Sequence, residues 1–152
     1  MVLPWRGRRR EPWSSERSSE LYLLDTNACI RVLNNSSEPL VARLQEHQPS
    51  ELRLSSVVKA ELLHGARKSA RVAANLELLR FFFSAFACRP FDDLCAEHYG
   101  LIRADLERQG LIIGPNDLLI AATARAHDLV LVTHNVAEFS RVPGLRVEDW
   151  EA

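Results

Sequence analysis

Two short, uninterrupted apolar runs constrain this chain more than any other feature. Residues 21–24 read LYLL directly before Asp25, and residues 129–132 read LVLV directly before Thr133. Runs without polar alternation predict strands that are buried on both faces, and such strands belong to parallel sheets covered by helices. Because open α/β sheets bind ligands at the carboxyl ends of their strands, the residues that follow these runs are the first candidates for a site.

The segments between these runs alternate between helical and strand patterns. Ser37 or Glu38 and Asp92 are placed to begin helices, and Gly110 is placed to end one. Predicted helices cover residues 26–33, 36–48, 56–69, 75–86, 93–110 and 114–128, and further strands cover 52–55, 87–91 and 145–149. This order predicts an α/β/α sandwich with a mainly parallel central sheet.

The length and composition favour one domain preceded by a tail. A chain of 152 residues that is 47% hydrophobic can build one substantial core. Residues 1–20 contain five Arg, three Glu and many Ser, without the apolar stretch of a signal peptide, so they are interpreted as a disordered tail or extension before a domain at 21–152. An RNA-binding arm is the functional alternative for this tail.

Cysteine usage and charge narrow the class further. Three cysteines without a CxxC pair disfavour a disulfide framework and a structural zinc site, which favours a reducing cytoplasm, and no apolar run is long enough to span a membrane. Residues 21–152 hold 14 basic and 17 acidic residues once the tail is subtracted from totals of 19 and 20. A nucleic acid would therefore need a local basic patch, with a metal meeting much of its charge.

Three carboxylates are poorly explained by their local sequence. Asp25 is either the cap of the following helix or a ligand at a strand end. Residues 118–122 are apolar all round, which predicts that their helix is central and buried. Asp117, in the first turn of this helix, either serves the helix dipole or takes part in chemistry. Glu61 has no Lys or Arg three or four residues ahead, so it is either solvated or used.

Convergence favours the functional interpretation of these acids. The ends of the strands before Asp25 and before the THN sequence at 133–135 share one edge of a parallel sheet, and the helix of Asp117 begins beside that edge. Several carboxylate oxygens at one point, without a Cys or His pair among them, suit a hard ion such as Mg²⁺ or Mn²⁺.

The motifs also resemble those of a known family. LLDTNACI, SSVVKAELLHGARKS, IIGPNDLLIAATARAHDLVLVTHNVAEFSRVPGL and VEDW occur in this order between Leu21 and Trp150. In this respect the chain resembles PIN-domain ribonucleases, and specifically the VapC toxins of bacterial type II toxin–antitoxin modules. Only the first twenty residues lie outside the resemblance.

The resemblance implies a Mg²⁺- or Mn²⁺-dependent endoribonuclease whose acidic site is Asp25, Glu61 and Asp117. Asp25 and Asp117 would coordinate the metal directly, and Glu61 would act through water or orient the nucleophile. Many members add a fourth acid just after the last buried strand. Here that position is Asn135, a neutral ligand at best, and Glu138 is close enough in sequence to substitute.

The resemblance also implies partners. Cleavage would leave a 5′-phosphate and a 3′-hydroxyl on a structured RNA, often tRNA and in similar members the initiator tRNA. A homodimer is expected, together with a cognate antitoxin whose C-terminal segment crosses the active-site groove. Phe81, Phe82 and Phe83 either supply part of a partner surface or are covered by neighbouring elements, since three adjacent side chains cannot all face one core.

Other interpretations remain to be separated by the structure. Arg67, Lys68 and Arg71 either meet RNA phosphates or form a solvated face, and His134 is expected to be exposed rather than catalytic. A phosphatase of the haloacid dehalogenase type fails because Asn27 stands where it needs a second acid. The remaining rival is a PIN-like module that binds RNA or protein without cutting, with Asn135 as the sign of decay.

Overall fold

Five parallel strands form the single sheet of the computed structural model, which describes residues 20–152. The strands are β1 (Tyr22–Leu24), β2 (Leu52–Ser55), β3 (Ala87–Arg89), β4 (Val130–Val132) and β5 (Val147–Glu148). Their spatial order is β3-β2-β1-β4-β5, and every pairing is parallel. The predicted mainly parallel sheet is confirmed, and β1 and β4 are central neighbours, as their apolar runs require.

Seven helices connect and cover the strands in this part of the chain. They are α1 (Thr26–Asn34), α2 (Glu38–Gln45), α3 (Ser56–Lys68), α4 (Val72–Ser84), α5 (Asp93–Gln109), α6 (Pro115–Ala126) and α7 (Val136–Phe139), and a 3-10 turn spans Pro49–Glu51. Ser37 and Asp92 accept the capping hydrogen bonds that the sequence predicted, and Gly110 ends α5 at a φ of 68°. The 3-10 turn and α7 were not predicted, because neither is long enough to show a periodic pattern.

The core lies on both sides of β1 and β4. Leu23, Leu24 and Leu131 are fully buried in the sheet. Helix α6 contributes Leu118 and residues 120–124 to the core and packs extensively against α5, which confirms that it is a central, buried helix. The first turn of α6 is thereby fixed against the body of the domain.

The three consecutive phenylalanines of α4 differ in burial, so neighbouring elements cover some of them and leave another exposed. Phe82 is buried and packs edge-to-face on Phe86 at a centroid distance of 5.2 Å. Phe83 is half-buried, whereas 50% of Phe81 is exposed. The α4 surface is therefore only partly covered within the described chain.

Both ends of the described chain contact the domain. Glu20, which the sequence assigned to the tail, pairs with Arg146 at 2.6 Å. The rest of the predicted tail, residues 1–19, lies outside the described residues. At the other end, Trp150 is buried and stacks on the His47 ring at 4.8 Å. Between residues 20 and 152, no helix combines the length and apolar character that crossing a bilayer requires.

Candidate active site

Asp25 caps the helix that follows it, and it also lies at the strand-end edge where the sequence predicts a ligand. It caps α1, with Oδ1 accepting a hydrogen bond of 2.8 Å from the Ala28 N–H. Its other oxygen, Oδ2, accepts a hydrogen bond of 2.5 Å from the Thr133 hydroxyl, at the end of neighbouring β4. Only 5% of the residue is exposed, and burial raises the pKa of the carboxyl although these two bonds oppose the rise.

Glu61 approaches the same edge of the sheet from α3, the helix that follows β2. Its Oε1 accepts a hydrogen bond of 2.7 Å from the Thr26 hydroxyl, in the first residue of α1. The side chain is half-buried, and none of the ion pairs found within residues 20–152 includes it. The lack of a cationic partner among its sequence neighbours therefore extends to the tertiary contacts of residues 20–152.

Asp117 experiences the strongest like-charge environment in the group. Burial and, in decreasing order, the negative charges of Glu138, Asp25 and Glu61 together raise the pKa of its carboxyl to about 6. The residue before its helix is Gly114, which supplies no side-chain cap. Two causes, desolvation and crowding of carboxylates, thus raise the pKa of one group, and among residues 20–152 we find no cation that opposes the rise.

Glu138 joins the acidic group through the short helix α7. Among the charges near Asp117, Glu138 raises its pKa most. Asn135, at the start of α7, donates from its side-chain nitrogen to Oε2 of Glu138 at 3.1 Å, and its backbone N–H donates to the Thr133 hydroxyl at 3.0 Å. The structure therefore places Glu138 at the edge where the sequence has a neutral residue after β4.

A cavity of about 190 Å³ lies beside Asp25. Its wall consists of Asp25, Asn27, Arg31, His134 and Asn135.

Residues near the C-terminus support that wall. His134 is exposed, as predicted, and its Nδ1 lies 3.0 Å from Asp149. Arg31 pairs with Glu151 at 3.1 Å and opposes the rise in the Asp25 pKa.

Sequence reasoning missed Thr26, Thr133 and Arg31 as parts of this site. Thr133 directly follows the apolar run at 129–132, and Thr26 follows Asp25 at the end of the run at 21–24. The sequence therefore indicated that both lie near the site. Their specific bonds depend on how α1, α3 and β4 approach one another. Arg31 carries no local signal, because its partner Glu151 is distant in sequence.

The predicted basic residues are not gathered into this acidic group. Arg67, Lys68 and Arg71 are exposed near the end of α3 and the start of α4. Lys68 follows Glu61 by seven residues, so it shares that face of α3 about 10 Å farther along the axis. Arg67 projects from a different face of the same helix.

The donor set fits a hard divalent cation. Asp25, Glu61, Asp117 and Glu138 offer carboxylate oxygens, and Asn135 adds a side-chain carbonyl, which are the ligands that Mg²⁺ and Mn²⁺ prefer. The four acids are spaced more widely than a compact ligand group. Within residues 20–152, the groups of three His, Cys, Asp or Glu ligand atoms that lie within 4.8 Å of one another are found at other places. A concentration of negative charge is the electrostatic condition that a bound cation relieves, and Arg31 beside Asp25 offsets only part of it.

Comparison with known proteins gives a consistent result across sequence and structure. The family model of the PIN domain matches residues 22–145. The chain is 40% identical over 129 residues to the tRNA(fMet)-specific endonuclease VapC of Salmonella typhimurium, covering 85% of this chain and 97% of the relative. It is 39% identical to Ribonuclease VapC2 of Rickettsia felis, covering 86% and 98%. A chain from the crystal structure of DNA-bound VapBC from Salmonella typhimurium superposes with a TM-score of 0.81 at 39% identity, covering 86% of this chain and 98% of that one.

Proposed function

The chain belongs to the PIN-domain family and is a VapC ribonuclease toxin, and from this premise we propose that Asp25, Glu61, Asp117 and Glu138 form a Mg²⁺ site that cleaves tRNA. The observation that carries the proposal is the environment of Asp117. Its pKa is raised to about 6 by burial and by three carboxylates from three other elements. Titratable groups perturbed in this way cluster at catalytic sites.

Each acid is held differently, and this suggests different roles. Asp25 is fixed by Thr133 and by the first turn of α1, so it is a rigid metal ligand. Asp117 lies in the first turn of α6 and is a second direct ligand. Glu61 is held through the Thr26 hydroxyl, which leaves Oε2 to orient the attacking water. When bound, Mg²⁺ lowers the pKa of a coordinated water and offsets charge developing on the phosphate.

Glu138 takes the place of the acid that Asn135 does not supply. The Asn135 amide donates to Oε2 of Glu138 and thereby orients it. Its own carbonyl oxygen provides a neutral ligand beside the acids. This arrangement argues against a module that has lost its chemistry, because a fourth carboxylate still acts on Asp117. Mn²⁺, which prefers the same donors, is expected to replace Mg²⁺.

The substrate we propose is tRNA, with the initiator tRNA as the first candidate. The relative from Salmonella typhimurium bears the name tRNA(fMet)-specific endonuclease. Lys68 shares the Glu61 face of α3, and Arg71 precedes α4 without forming a side-chain cap, so both are available to phosphates flanking the cut. Arg67 contributes to the same positive field from the neighbouring helix face.

Cleavage of bulk tRNA tests this assignment. Wild-type protein with Mg²⁺ should release fragments with 5′-phosphate and 3′-hydroxyl ends, and EDTA should abolish the reaction. Asp117→Asn, which preserves shape, should be inactive while retaining the wild-type circular dichroism spectrum. Cleavage that persists in EDTA, or no cleavage by well-folded wild-type protein with Mg²⁺, would instead favour the non-cutting binding module.

We also propose that a cognate antitoxin covers the groove between α1, α3 and α4. The solved relatives include VapBC complexes. Here a mainly apolar cavity of about 290 Å³ has Glu61 at its wall, and its other lining residues are Ile30, Leu33, Asn34, Leu62, Gly65, Ala66, Asn75, Leu78 and Leu79. A second cavity beside Leu78 reaches the exposed Phe81. An apolar segment lying there would block Glu61 and shield Phe81 together.

The groove is tested by separating antitoxin affinity from cleavage. Phe81→Ser should weaken antitoxin binding by about tenfold or more, as loss of an aromatic anchor does, and leave tRNA cleavage unchanged. Leu111→Ser is the matched control, since Leu111 is 40% exposed but lies after α5. Equal antitoxin affinity in both variants would remove the groove from the proposal without affecting the nuclease assignment.

A homodimer is the remaining proposed assembly. Leu94 and Leu101 lie seven residues apart on one face of α5 and are 45% and 65% exposed. Such a stripe on a helix suits a second copy of the same surface. Sedimentation equilibrium should give a dimer for the wild type and a monomer for Leu101→Lys, whereas a monomeric wild type would contradict this assembly.

A further inference from the structure

A second group of metal-ligating side chains lies where the start of α5 meets the end of α6. Asp92, Cys95 and His127 bring one carboxylate oxygen, one sulfur and one ring nitrogen within 4.8 Å of one another. We propose that these three residues form a Zn²⁺ site, separate from the acidic site at the sheet edge. Mixed N, O and S donors are the set that zinc prefers, whereas Mg²⁺ takes oxygen alone.

His127 supplies the clearest geometric argument. Its Nε2 is buried and lies only 2.8 Å from Oδ2 of Asp92, and His127 lowers the pKa of that carboxyl. These two atoms and the Cys95 sulfur lie within 4.8 Å of one another, which is close enough for all three to bind one ion after a small adjustment. In a tetrahedral zinc site with bonds of ~2.0–2.1 Å, two such ligands are separated by about 3.3 Å, so a shift of about half an ångström is sufficient.

Cys95 completes the group from the first turn of α5. The residue is fully buried, and its thiol interacts with the Asp92 carboxylate and the Thr123 hydroxyl and has a long contact of 3.9 Å with the Pro90 carbonyl. Asp92 and Cys95 are three residues apart at the start of a helix, a spacing that places two ligand side chains on the same side of the chain. The missing CxxC pair therefore does not exclude zinc, because an Asp takes the place of the first Cys and His127 adds the third ligand.

The two proposed metal sites are distinct in position and chemistry. Asp117 and His127 are ten residues apart, or about 15 Å along α6 and its end. Zinc at His127 would connect the start of α5 to the end of α6, two helices that already pack together. Its effect would be structural: binding to the folded state alone raises Tm.

Cobalt substitution tests the site directly, because Co²⁺ bound to a thiolate gives a charge-transfer absorption that oxygen ligands do not give. EDTA-treated, full-length protein is titrated with Co²⁺ and then with Zn²⁺. We expect this absorption at one equivalent of Co²⁺ and its loss on displacement by Zn²⁺. Stoichiometric Zn²⁺ should raise Tm by about 5 °C or more, and Mg²⁺ should not reproduce the absorption.

Matched variants identify the ligands. Cys95→Ser should abolish the absorption, and His127→Gln and Asp92→Asn should weaken Zn²⁺ binding by about 100-fold or more. Asn at position 92 retains a helix cap, so it separates metal binding from capping even if Cys95→Ser folds poorly. Cys88→Ser, at the exposed cysteine, and His134→Gln, at the other three-ligand group, should both keep the absorption.

Three results would overturn the inference, two of them spectroscopic. One is the absence of thiolate-to-cobalt absorption in the wild type, and the other is its persistence in Cys95→Ser. A Zn²⁺-dependent rise in Tm that survives in His127→Gln and Asp92→Asn would likewise assign the metal to another location. The RNA cleavage assay with Mg²⁺ is independent of all three outcomes.

Discussion

Asp92 and Asp117 occupy similar local positions but opposite electrostatic environments. Both lie at the start of a helix, where the orphan N–H groups and the dipole favour a negative charge. Hydrogen bonds from Cys95, together with the nearby His127, lower the pKa of Asp92 to about 2. Burial and the charges of Glu138, Asp25 and Glu61 raise that of Asp117 to about 6.

The contrast teaches that a helix start does not determine the state of its acid. Asp92 is exposed, and its carboxylate accepts a backbone bond in the way an ordinary cap does. Asp25 accepts an equivalent bond from Ala28, yet burial still raises its pKa. Desolvation thus outweighs the cap at Asp25, and at Asp117 the neighbouring carboxylates add to desolvation.

The largest expected effect on cleavage distinguishes an acid that binds the metal from an acid that only lies at the start of a helix. Asp25→Asn should reduce tRNA cleavage by about 1000-fold or more, because the variant loses a metal ligand while its amide can still cap α1. Asp93→Asn, at an exposed acid that begins α5, should cleave within about twofold of the wild type. Single-turnover cleavage with Mg²⁺ measures both variants, and comparable losses would show that the two helix starts do not differ as proposed.

The next effect concerns stability without metal. Asp117→Asn should raise the Tm of EDTA-treated protein at pH 7 to 8 by about 2–4 °C, since it removes a charge whose cost, after solvent screening, is about 1 kcal/mol. The folded-state pKa near 6 exceeds the ordinary 3.8, so the cost is fully present above pH 6 and disappears toward pH 4.

Differential scanning fluorimetry from pH 4 to 8 should therefore show the gain from Asp117→Asn closing as the pH falls. A metal-free Tm that is unchanged or lower at pH 7 would identify Asp117 as a structural cap. Mg²⁺ should also reduce the difference in Tm between the variant and the wild type, because it stabilises the wild type more than the variant.

The smallest effect tests the division of labour between Asn135 and Glu138. Asn135→Asp replaces a donor that bonds Glu138 with another negative charge, so the Tm without metal should fall by about 1–3 °C. Added Mg²⁺ should recover most of the loss if the new acid joins the metal site. Asn135→Ser provides the neutral comparison, and an equal fall in that variant would attribute the effect to the lost hydrogen bond.

The sequence predicted the elements that carry local signals. The apolar runs of β1 and β4, the caps at Ser37 and Asp92 and the end of α5 at Gly110 were all assigned correctly. Helix α7 was missed because four residues cannot establish a period. The exposure of Phe81 and burial of Phe82 were undecided, because they depend on what packs against α4.

The site was predicted less completely, for a related reason. Asp25, Glu61 and Asp117 could be named from strand ends, missing local partners and a recognisable motif order. The proximity of Glu138 to Asp117 depends on α7, and the bonds of Thr26 and Thr133 depend on contacts between elements distant in sequence. These residues reach the site through the packing of helices in the tertiary structure, for which the local sequence carries no signal.

The burial of Trp150 gives the domain an optical reporter of its own integrity. The indole stacks on His47, meets the Tyr22 ring at a centroid distance of 5.1 Å and lies beneath Arg43. Its neighbours Asp149 and Glu151 contact His134 and Arg31 in the wall of the cavity beside Asp25. Release of this short segment would move the indole into water and shift its emission to longer wavelength. In protein carrying Trp5→Phe and Trp13→Phe, which leave Trp150 as the single tryptophan, intrinsic fluorescence should register opening beside the acids before the sheet itself unfolds.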